Sequence, residues 1–188
     1  VVILGFREVR NIAMSVPVAN LYEDAKGTPG LDIESLWEQT LEVACLARAL
    51  SYHIHHDVPE QVFVSAILSN TGKVVLNSIL KEEYAVVVES CPEEERLPEV
   101  EQTELGIDHV QVTRMLAEKW HFPPDLIEAI TAHFDPVKDG EVLREAGLIF
   151  AARRLRAALT DDFDAEMALA RLPQEITEAF ELSPEAVR

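Results

Sequence analysis

The amino-acid sequence predicts an all-α protein that buries one hydrophobic core. Apolar residues recur at steps of three and four through most of the chain, which is the spacing of a helix face. No segment alternates convincingly between apolar and polar residues, so no strand is predicted. Apolar residues make up 48% of the 188 residues, which argues against a disordered chain and suffices for one core. The sequence contains no internal repeat and does not require a second domain.

The beginning of the chain divides into helices at recognisable start and stop signals. An amphipathic pattern follows Phe6 and should end or kink at Pro17, because proline lacks a backbone donor. After a Gly/Pro-rich loop at 26–30, Asp32 is suited to cap a long helix. That helix is predicted to close near His53, where a positive charge suits the negative end of the helix dipole.

The middle of the chain holds its most apolar segment. Pro59 is tolerated in the first turn of a helix whose nearly continuous apolar run, 62–68, predicts the most buried helix. The sequence Asn-Thr-Gly at 70–72 predicts a break, after which helical patterning resumes over 73–89. The segment 91–98, which holds two prolines and the acidic run 93–95, is predicted to be a solvated connection and not a binding site.

The last part of the chain is also predicted to be helical. Asp108 and Gln111 resemble a capping box that opens a helix reaching Trp120. The residues Pro-Pro-Asp at 123–125 begin the next helix, which is expected to end near His133. Further helices are predicted at 141–159, around 162–171 and at 173–182.

The charge balance narrows the classes of partner. The chain carries 16 basic and 34 acidic residues, a net charge of −18, so it would repel a phosphate backbone or an anionic membrane surface. The one local basic cluster is Arg-Arg-Leu-Arg at 153–156. We therefore expect no nucleic-acid partner.

The composition also bears on the compartment. No apolar run approaches the roughly 20 residues of a membrane span, and the apolar start of the chain lacks the basic flank of a secretory signal. Cys45 and Cys91 are unclustered, which suits a reducing cytosol, and Cys45 is interpreted as a small core residue. We expect a cytoplasmic protein. Because the chain begins on an apolar stretch without methionine, we also expect it to be part of a longer protein.

Two segments look superficially like ligand sites. The stretch 69–73 ends in Gly-Lys like a phosphate-binding loop, but position 67 is Ile67 where that loop has glycine, and Val74 stands where it has Ser or Thr. The run 53–57 contains three histidines and an aspartate, which are potential metal ligands. Because the run lies at a predicted helix end, we prefer the interpretation that its histidines complement the helix dipole.

His109 and His133 are the more informative histidines because each lies near an acid. Asp108 precedes His109 and Asp135 follows His133, and a hydrogen bond between such partners fixes the histidine tautomer. That arrangement serves either catalysis or a buried polar contact. The sequence has no HExxH, GxSxG, dinucleotide-binding or CxxC motif, so the structural role is preferred.

Several segments carry a family resemblance, and they occur in this order along the chain: 2–10, 36–37, 43–49, 66–76, 104–109, 116–120 and 127–136. Together they resemble the HDOD family, the HD-related output domains of bacterial signalling proteins. The resemblance implies an HD-like bundle of orthogonal helices over 1–136. Residues 137–188 would then be a helical C-terminal extension that packs on the bundle or leads to another domain.

The chain departs from the family pattern at the metal ligands. The resemblance places Ser69 and Asn70 where family members often have histidine and aspartate, and Gln39 where a histidine often stands. An amide or hydroxyl oxygen binds a divalent cation far more weakly than imidazole and carboxylate do. The degenerate pocket implied by the resemblance comprises Gln39, Ser69, Asn70, Lys73, His109 and His133. We expect no catalytic residue, metal or cofactor there. The resemblance also implies that this chain is the later part of the family's domain, without the N-terminal helices that the domain normally has.

Three hypotheses about function follow from this resemblance. The first is a non-catalytic regulatory domain that contacts other signalling proteins or domains, or holds a small ligand. The alternative is a degenerate HD-type metal-dependent phosphohydrolase that binds metal through His109, His133 and neighbouring acids. The third is a purely structural helix bundle that forms a homodimer within a larger receptor, because the apolar segment Val1–Leu4 and the missing helices would leave an exposed patch.

Overall fold

The computed structural model describes residues 6–57, 59–91, 93–159 and 164–184, and this part of the chain is predominantly helical, as predicted. The segment Val1–Leu4, on which the dimer hypothesis depends, lies outside the described residues. So do residues 160–163, where the helix predicted around 162–171 was expected to begin. The predicted all-α fold is confirmed.

The helices follow one another with short connections. In chain order they are α1 (Phe6–Ala25), α2 (Ile33–His53), α3 (Pro59–Ser69), α4 (Thr71–Leu80), α5 (Glu82–Glu89), a 3₁₀ turn η1 (Glu94–Arg96), α6 (Leu97–Leu105), α7 (His109–Lys119), α8 (Pro124–Thr131), α9 (Arg144–Ala158), α10 (Ala165–Leu169) and α11 (Gln174–Ala179). The predicted caps are present. The side chain of Asp32 accepts from the Ser35 amide at 3.1 Å, and that of Asp108 accepts from the Gln111 amide at 2.7 Å.

Pro17 does not end α1, which continues to Ala25. Beyond the proline, Val18, Tyr22 and Ala25 are all buried in the main core. Their burial outweighs the roughly 3 kcal/mol that a proline costs inside a helix. Tertiary packing thus extends the helix past its local stop signal.

A β-hairpin, which was not predicted, separates α8 from α9. Strand β1 (Val137–Lys138) pairs antiparallel with β2 (Glu141–Val142), with Val137 opposite Val142. Asp139 and Gly140 form the turn with φ of 53° and 82°. An Asp-Gly dipeptide accepts positive φ at both positions, and it is the local signal that predicts such a hairpin. The prediction of a helix from 141 was therefore wrong at its start, and α9 begins at Arg144.

The core is centred on the junction of α3 and α4. Every residue from Val64 to Val74 is buried, and α3 packs against α1, α2, α8 and α9. The helix predicted to be most buried, α3, thus lies at the centre of the core. Asn70 is the residue that separates α3 from α4. Residues Leu148, Ile149 and Ala151 of α9 are buried in the same core cluster. The division of the chain at residue 136 stays a prediction.

Cys45 was interpreted as a core residue, and this is wrong: it is exposed. The buried stripe of α2 contains Thr40, Val43, Ala44, Ala47 and Leu50. Cys45 is adjacent to this stripe in sequence, but a helix turns by about 100° per residue, which moves its side chain off the buried face.

By length and composition alone, Pro59–Leu80 could cross a membrane, although the sequence was judged to have no such run. This stretch comprises α3 and α4. Of its most apolar window, 78% is buried inside the fold, as in the core helices of many proteins.

Candidate functional site

The candidate site lies where the buried 64–74 segment meets α2, α7, η1 and α9. The Ser69 hydroxyl is oriented by its own helix. Its hydroxyl donates to the carbonyl oxygen of Ala66 at 2.8 Å, one turn back in α3. The side chain of Gln39 donates to the Ser35 hydroxyl at 3.1 Å along α2. Both side chains are engaged in their own helices.

Asn70 is held by a chain of buried polar side chains. Its amide Nδ2 donates to Thr40 Oγ1 at 3.0 Å, and Thr40 in turn donates to the Leu36 carbonyl at 2.7 Å. The Tyr22 hydroxyl is 3.3 Å from the same Thr40 oxygen, and burial raises the pKa of Tyr22 to about 12. Asn70 Oδ1 is buried without a partner in the described structure. The residue thus ties α4 to α2.

Lys73 is a buried cation that forms part of a three-residue ion cluster. Its Nζ and Nη2 of Arg153 each lie 2.7 Å from the same oxygen, Glu94 Oε1. The side chains of Lys73 and Arg153 are 5% and 10% exposed, whereas that of Glu94 is 52% exposed. The Arg153 guanidinium also stacks 4.4 Å over the Phe134 ring.

The charged groups in this cluster shift one another's pKa values. Burial lowers the pKa of Lys73, although the carboxylate of Glu94 acts in the opposite direction. The Lys73 ammonium holds the pKa of Glu94 well below its usual range, and Arg153 adds to this effect. Glu95 makes a second ion pair, with Arg154 at 3.1 Å. The acidic run 93–95 is therefore not only a solvated connection: two of its carboxylates bind cations of the bundle.

His109 is oriented by a buried carboxylate that the sequence analysis did not identify. Glu101, fully buried, accepts from the His109 amide at 2.8 Å, from His109 Nδ1 at 2.5 Å and from the Tyr84 hydroxyl at 2.5 Å. Because a carboxylate accepts, Nδ1 carries the proton and Nε2 is an acceptor. The expected partner Asp108 caps α7 instead.

His133 is also buried and neutral. Its Nδ1 donates to the Ile130 carbonyl at 2.9 Å. Asp135, the acid near it in the sequence, is therefore not the partner of Nδ1. Burial, together with the positive charge of Arg153, holds the pKa of His133 well below its usual range. Burial likewise lowers the pKa of His109, and Lys73 and Arg153 add to this against the effect of Glu101. The Nε2 atoms of both histidines are buried without a partner in the described residues.

These residues do not fit a divalent cation of the kind that HD-type sites hold. The two free Nε2 atoms are suitable donors, since each ring is oriented by a hydrogen bond at Nδ1. However, the described residues contain no group of three or more His, Cys, Asp or Glu side chains that could hold a metal. Lys73 and Arg153 already place positive charge beside both histidines, which opposes a further cation.

A surface cleft gives access to the ion cluster. It measures about 300 Å³ and has Ser35, Gln39, Lys73, Cys91 and Glu94 in its wall. A much narrower continuation, about 20 Å³, shares Gln39 and Glu94 and is also lined by Asn70 and Arg153. A larger groove of about 650 Å³, between α7, α8 and the hairpin, contains none of the predicted pocket residues.

The depressed pKa of Glu94 leads to a prediction about acid stability. The ion cluster should contribute stability above the unfolded pKa of about 4.3 and lose it as the pH falls from there toward the lower folded pKa. We expect Glu94→Gln to be less stable than wild type at pH 6, with the difference shrinking toward pH 3. Urea unfolding at a series of pH values measures this. Glu93→Gln is the control, and a difference for Glu94→Gln that does not change with pH would contradict the assignment.

The sequence pattern of the HDOD domain matches residues 1–136. The chain belongs to the HDOD family. A comparison with curated proteins gave no significant match.

Solved structures share this HDOD fold. An HDOD domain protein from Geobacter sulfurreducens superposes with a TM-score of 0.68 at 22% identity, over 89% of this chain and 59% of that one. A provisionally named phosphohydrolase from Shewanella amazonensis SB2B gives 0.71 at 20% identity, over 92% and 64%. A provisionally named signal transduction protein from Marinobacter aquaeolei VT8 gives 0.73 at 23% identity, over 98% and 41%. The chain therefore spans less than two thirds of each of these proteins, and at these identities the likeness shows the fold alone.

Within the HDOD domain, the structure brings most of the predicted pocket residues to one region. Besides burial, the positive charges of Lys73 and of protonated His109 both act to lower the pKa of His133, and Gln39 and Asn70 line the adjoining narrow cleft. Sequence reasoning missed Glu94, Glu101 and Arg153. The isolated basic cluster at 153–156, in a chain with twice as many acids, was the available signal for the ion pairs of Arg153.

Proposed function

We propose that this HDOD domain is a non-catalytic regulatory module of a signalling protein, and that it acts through contacts with other signalling proteins or domains. The observation that carries the proposal is the chemistry at the expected metal ligands. Ser69 and Asn70 hydrogen-bond within the bundle and offer only neutral oxygens, which are weak ligands, and Lys73 supplies a buried positive charge near them. A site arranged in this way lacks the strong ligands that activate water in a metal-dependent hydrolase.

The surface charges support a protein partner over a nucleic acid. Each arginine of the basic cluster 153–156 is paired: Arg153 with Glu94, Arg154 with Glu95 and Arg156 with Glu42. The cluster therefore has little uncompensated charge for a phosphate backbone. The name of the Marinobacter aquaeolei relative, which places that protein in signal transduction, agrees with this proposal. A cytoplasmic location belongs to the same proposal.

One observation favours the alternative, a degenerate metal-dependent phosphohydrolase. His109 and His133 both present a buried imidazole Nε2 without a partner among the described residues, and neutral imidazole is a good ligand for transition metals. The Shewanella amazonensis relative carries a phosphohydrolase name. The positive charges of Lys73 and Arg153 count against this alternative, and an assay decides between the two.

We expect no release of phosphate from linear or cyclic nucleotides when the purified protein is supplied with Mn²⁺. The protein should be prepared without chelator, and elemental analysis should find no stoichiometric manganese, iron, zinc or nickel. A His133→Gln variant purified in parallel is the control, because a contaminating phosphatase would give the same release in both samples. Release at enzyme-like rates by wild type, lost in the variant, would overturn the proposal in favour of the alternative.

A further inference from the structure

Two cationic side chains converge on one carboxylate oxygen from separate helices. Lys73 belongs to α4 and Arg153 to α9, and each places a nitrogen 2.7 Å from Glu94 Oε1. Both cations are at least nine-tenths buried and are carried by helices that pack in the body of the protein. The two donors therefore form a preorganised site for an oxyanion.

The acid that fills this site is held less firmly than the cations. Glu94 begins the three-residue turn η1, which has no side-chain cap, and its side chain is 52% exposed. A second ion pair from this turn to α9, between Glu95 and Arg154, is partly exposed. An exposed ion pair contributes little to stability, because solvent screens its charges. The carboxylate can thus leave at a smaller cost than either cation could move.

Displacement of Glu94 needs a replacement anion. Without one, Lys73 and Arg153 would be buried cations without a partner, which is strongly unfavourable. The cleft of about 300 Å³ beside Lys73 and Glu94 has room for the remainder of a small molecule. Asn70, 6% exposed, lines the narrow continuation, and its Oδ1 lacks a donor in the described structure. This oxygen accepts only from a donor such as the P–OH of a singly ionised phosphate.

We propose that Lys73 and Arg153 form a binding site for a phosphate group, and that Glu94 occupies it as an internal ligand until a phosphate-bearing small molecule displaces it. A tetrahedral phosphate has enough acceptor oxygens to take hydrogen bonds from the ammonium and the guanidinium together. The inference rests on the proposed regulatory function and extends it: displacement would break one of the two ion pairs that join η1 to α9 and so change the surface that a partner contacts.

The first test compares the response of three proteins to inorganic phosphate, with chloride of equal ionic strength as the reference. Glu94→Gln removes the internal anion. We expect phosphate at ten times its dissociation constant to raise its Tm by about 3–5 °C, and to bind at least about tenfold more tightly than to wild type. Glu95→Gln is the matched control, because it removes the same charge from the same turn but leaves Lys73 and Arg153 paired. Equal responses of Glu94→Gln and Glu95→Gln would overturn the proposal.

A second measurement applies if Glu94→Gln does not fold. Line broadening of the ³¹P resonance of inorganic phosphate is followed with wild type, Arg153→Gln and Arg156→Gln. We expect broadening with wild type and Arg156→Gln and none with Arg153→Gln. The same broadening with all three proteins, or with none, would contradict the site.

A third measurement compares adenosine monophosphate with inorganic phosphate, to show whether the site binds an organic phosphate or the free anion. Adenosine monophosphate that binds more tightly than inorganic phosphate would show that the cleft holds the rest of an organic ligand, and equal affinity would show a site for the free anion. Failure of all phosphate binding would sink this inference and leave the non-catalytic proposal intact. Hydrolysis in the manganese assay would sink that proposal instead.

Discussion

Replacing Glu101 with alanine should lower the free energy of unfolding by about 3–5 kcal/mol. Glu101 is fully buried, and its two oxygens accept from the His109 amide, His109 Nδ1 and the Tyr84 hydroxyl. Each donor left unsatisfied in the core costs about 1–3 kcal/mol, because neither water nor another acceptor replaces the carboxylate. Burial alone would raise the pKa of Glu101, but these hydrogen bonds outweigh it and lower the pKa.

Urea unfolding at neutral pH measures this loss. Glu104→Ala is the matched control, since it is the same substitution on the same helix at an exposed position, and it should change stability by less than about 0.5 kcal/mol. Near-UV circular dichroism should also change for Glu101→Ala, because Tyr84 and His109 lose their common partner. If both variants lose the same stability, Glu101 does not organise this part of the core.

Replacing Gly72 with alanine should destabilise the protein by about 2–3 kcal/mol or prevent it from folding. A Cβ atom at this position would meet the carbonyl oxygen of His109 at a van der Waals-forbidden distance of 1.9 Å, and the hydroxyl of Thr113 at 2.8 Å. The backbone amide of Gly72 also donates to that hydroxyl at 3.0 Å. Because the clash involves the backbone of α7, it is relieved only if α4 and α7 separate.

The effect is expected although alanine favours helix over glycine by about 1 kcal/mol. Gly27→Ala serves as the comparison, since Gly27 has a φ of 72° but no atom within 4 Å of its added Cβ. The free energy of unfolding of that variant should fall only by the roughly 1–2 kcal/mol that a left-handed backbone conformation costs a residue other than glycine. Thermal unfolding of both variants separates the two causes. Equal stability of Gly72→Ala and wild type would mean that α4 and α7 are not held in close contact.

The structural role of Gly72 could not be predicted from the sequence. The Asn-Thr-Gly sequence at 70–72 was interpreted as a break, but only Asn70 interrupts the helices, and Gly72 lies inside α4. The glycine is needed for the close approach of α7, a requirement that comes from a residue 37 positions later in the chain. Local turn propensity and interhelical packing favour the same residue type, so the sequence cannot distinguish them.

The candidate site was predictable only in part, because its contacts also join residues that are far apart in the sequence. His109 and His133 were singled out because of acids beside them in sequence, yet His109 bonds to Glu101 and His133 to the Ile130 carbonyl. The ion cluster joins Lys73 to Glu94 and Arg153, residues far apart along the chain. In a chain with 34 acidic residues, no spacing rule selects the carboxylate that reaches a given lysine.

The sequence by itself determined the features that depend on near neighbours: the helical periodicity, the caps at Asp32 and Asp108, the apolar run at the centre of the core, and the family. The family resemblance, also drawn from the sequence, carries the prediction that Ser69 and Asn70 stand where relatives have metal ligands, and this stays a prediction. Only the tertiary structure decided that α1 continues past Pro17, that Glu101 orients His109, and that Glu94 bridges Lys73 and Arg153. These outcomes depend on which distant side chains share a low-dielectric interior, where pairing and burial energies exceed local preferences.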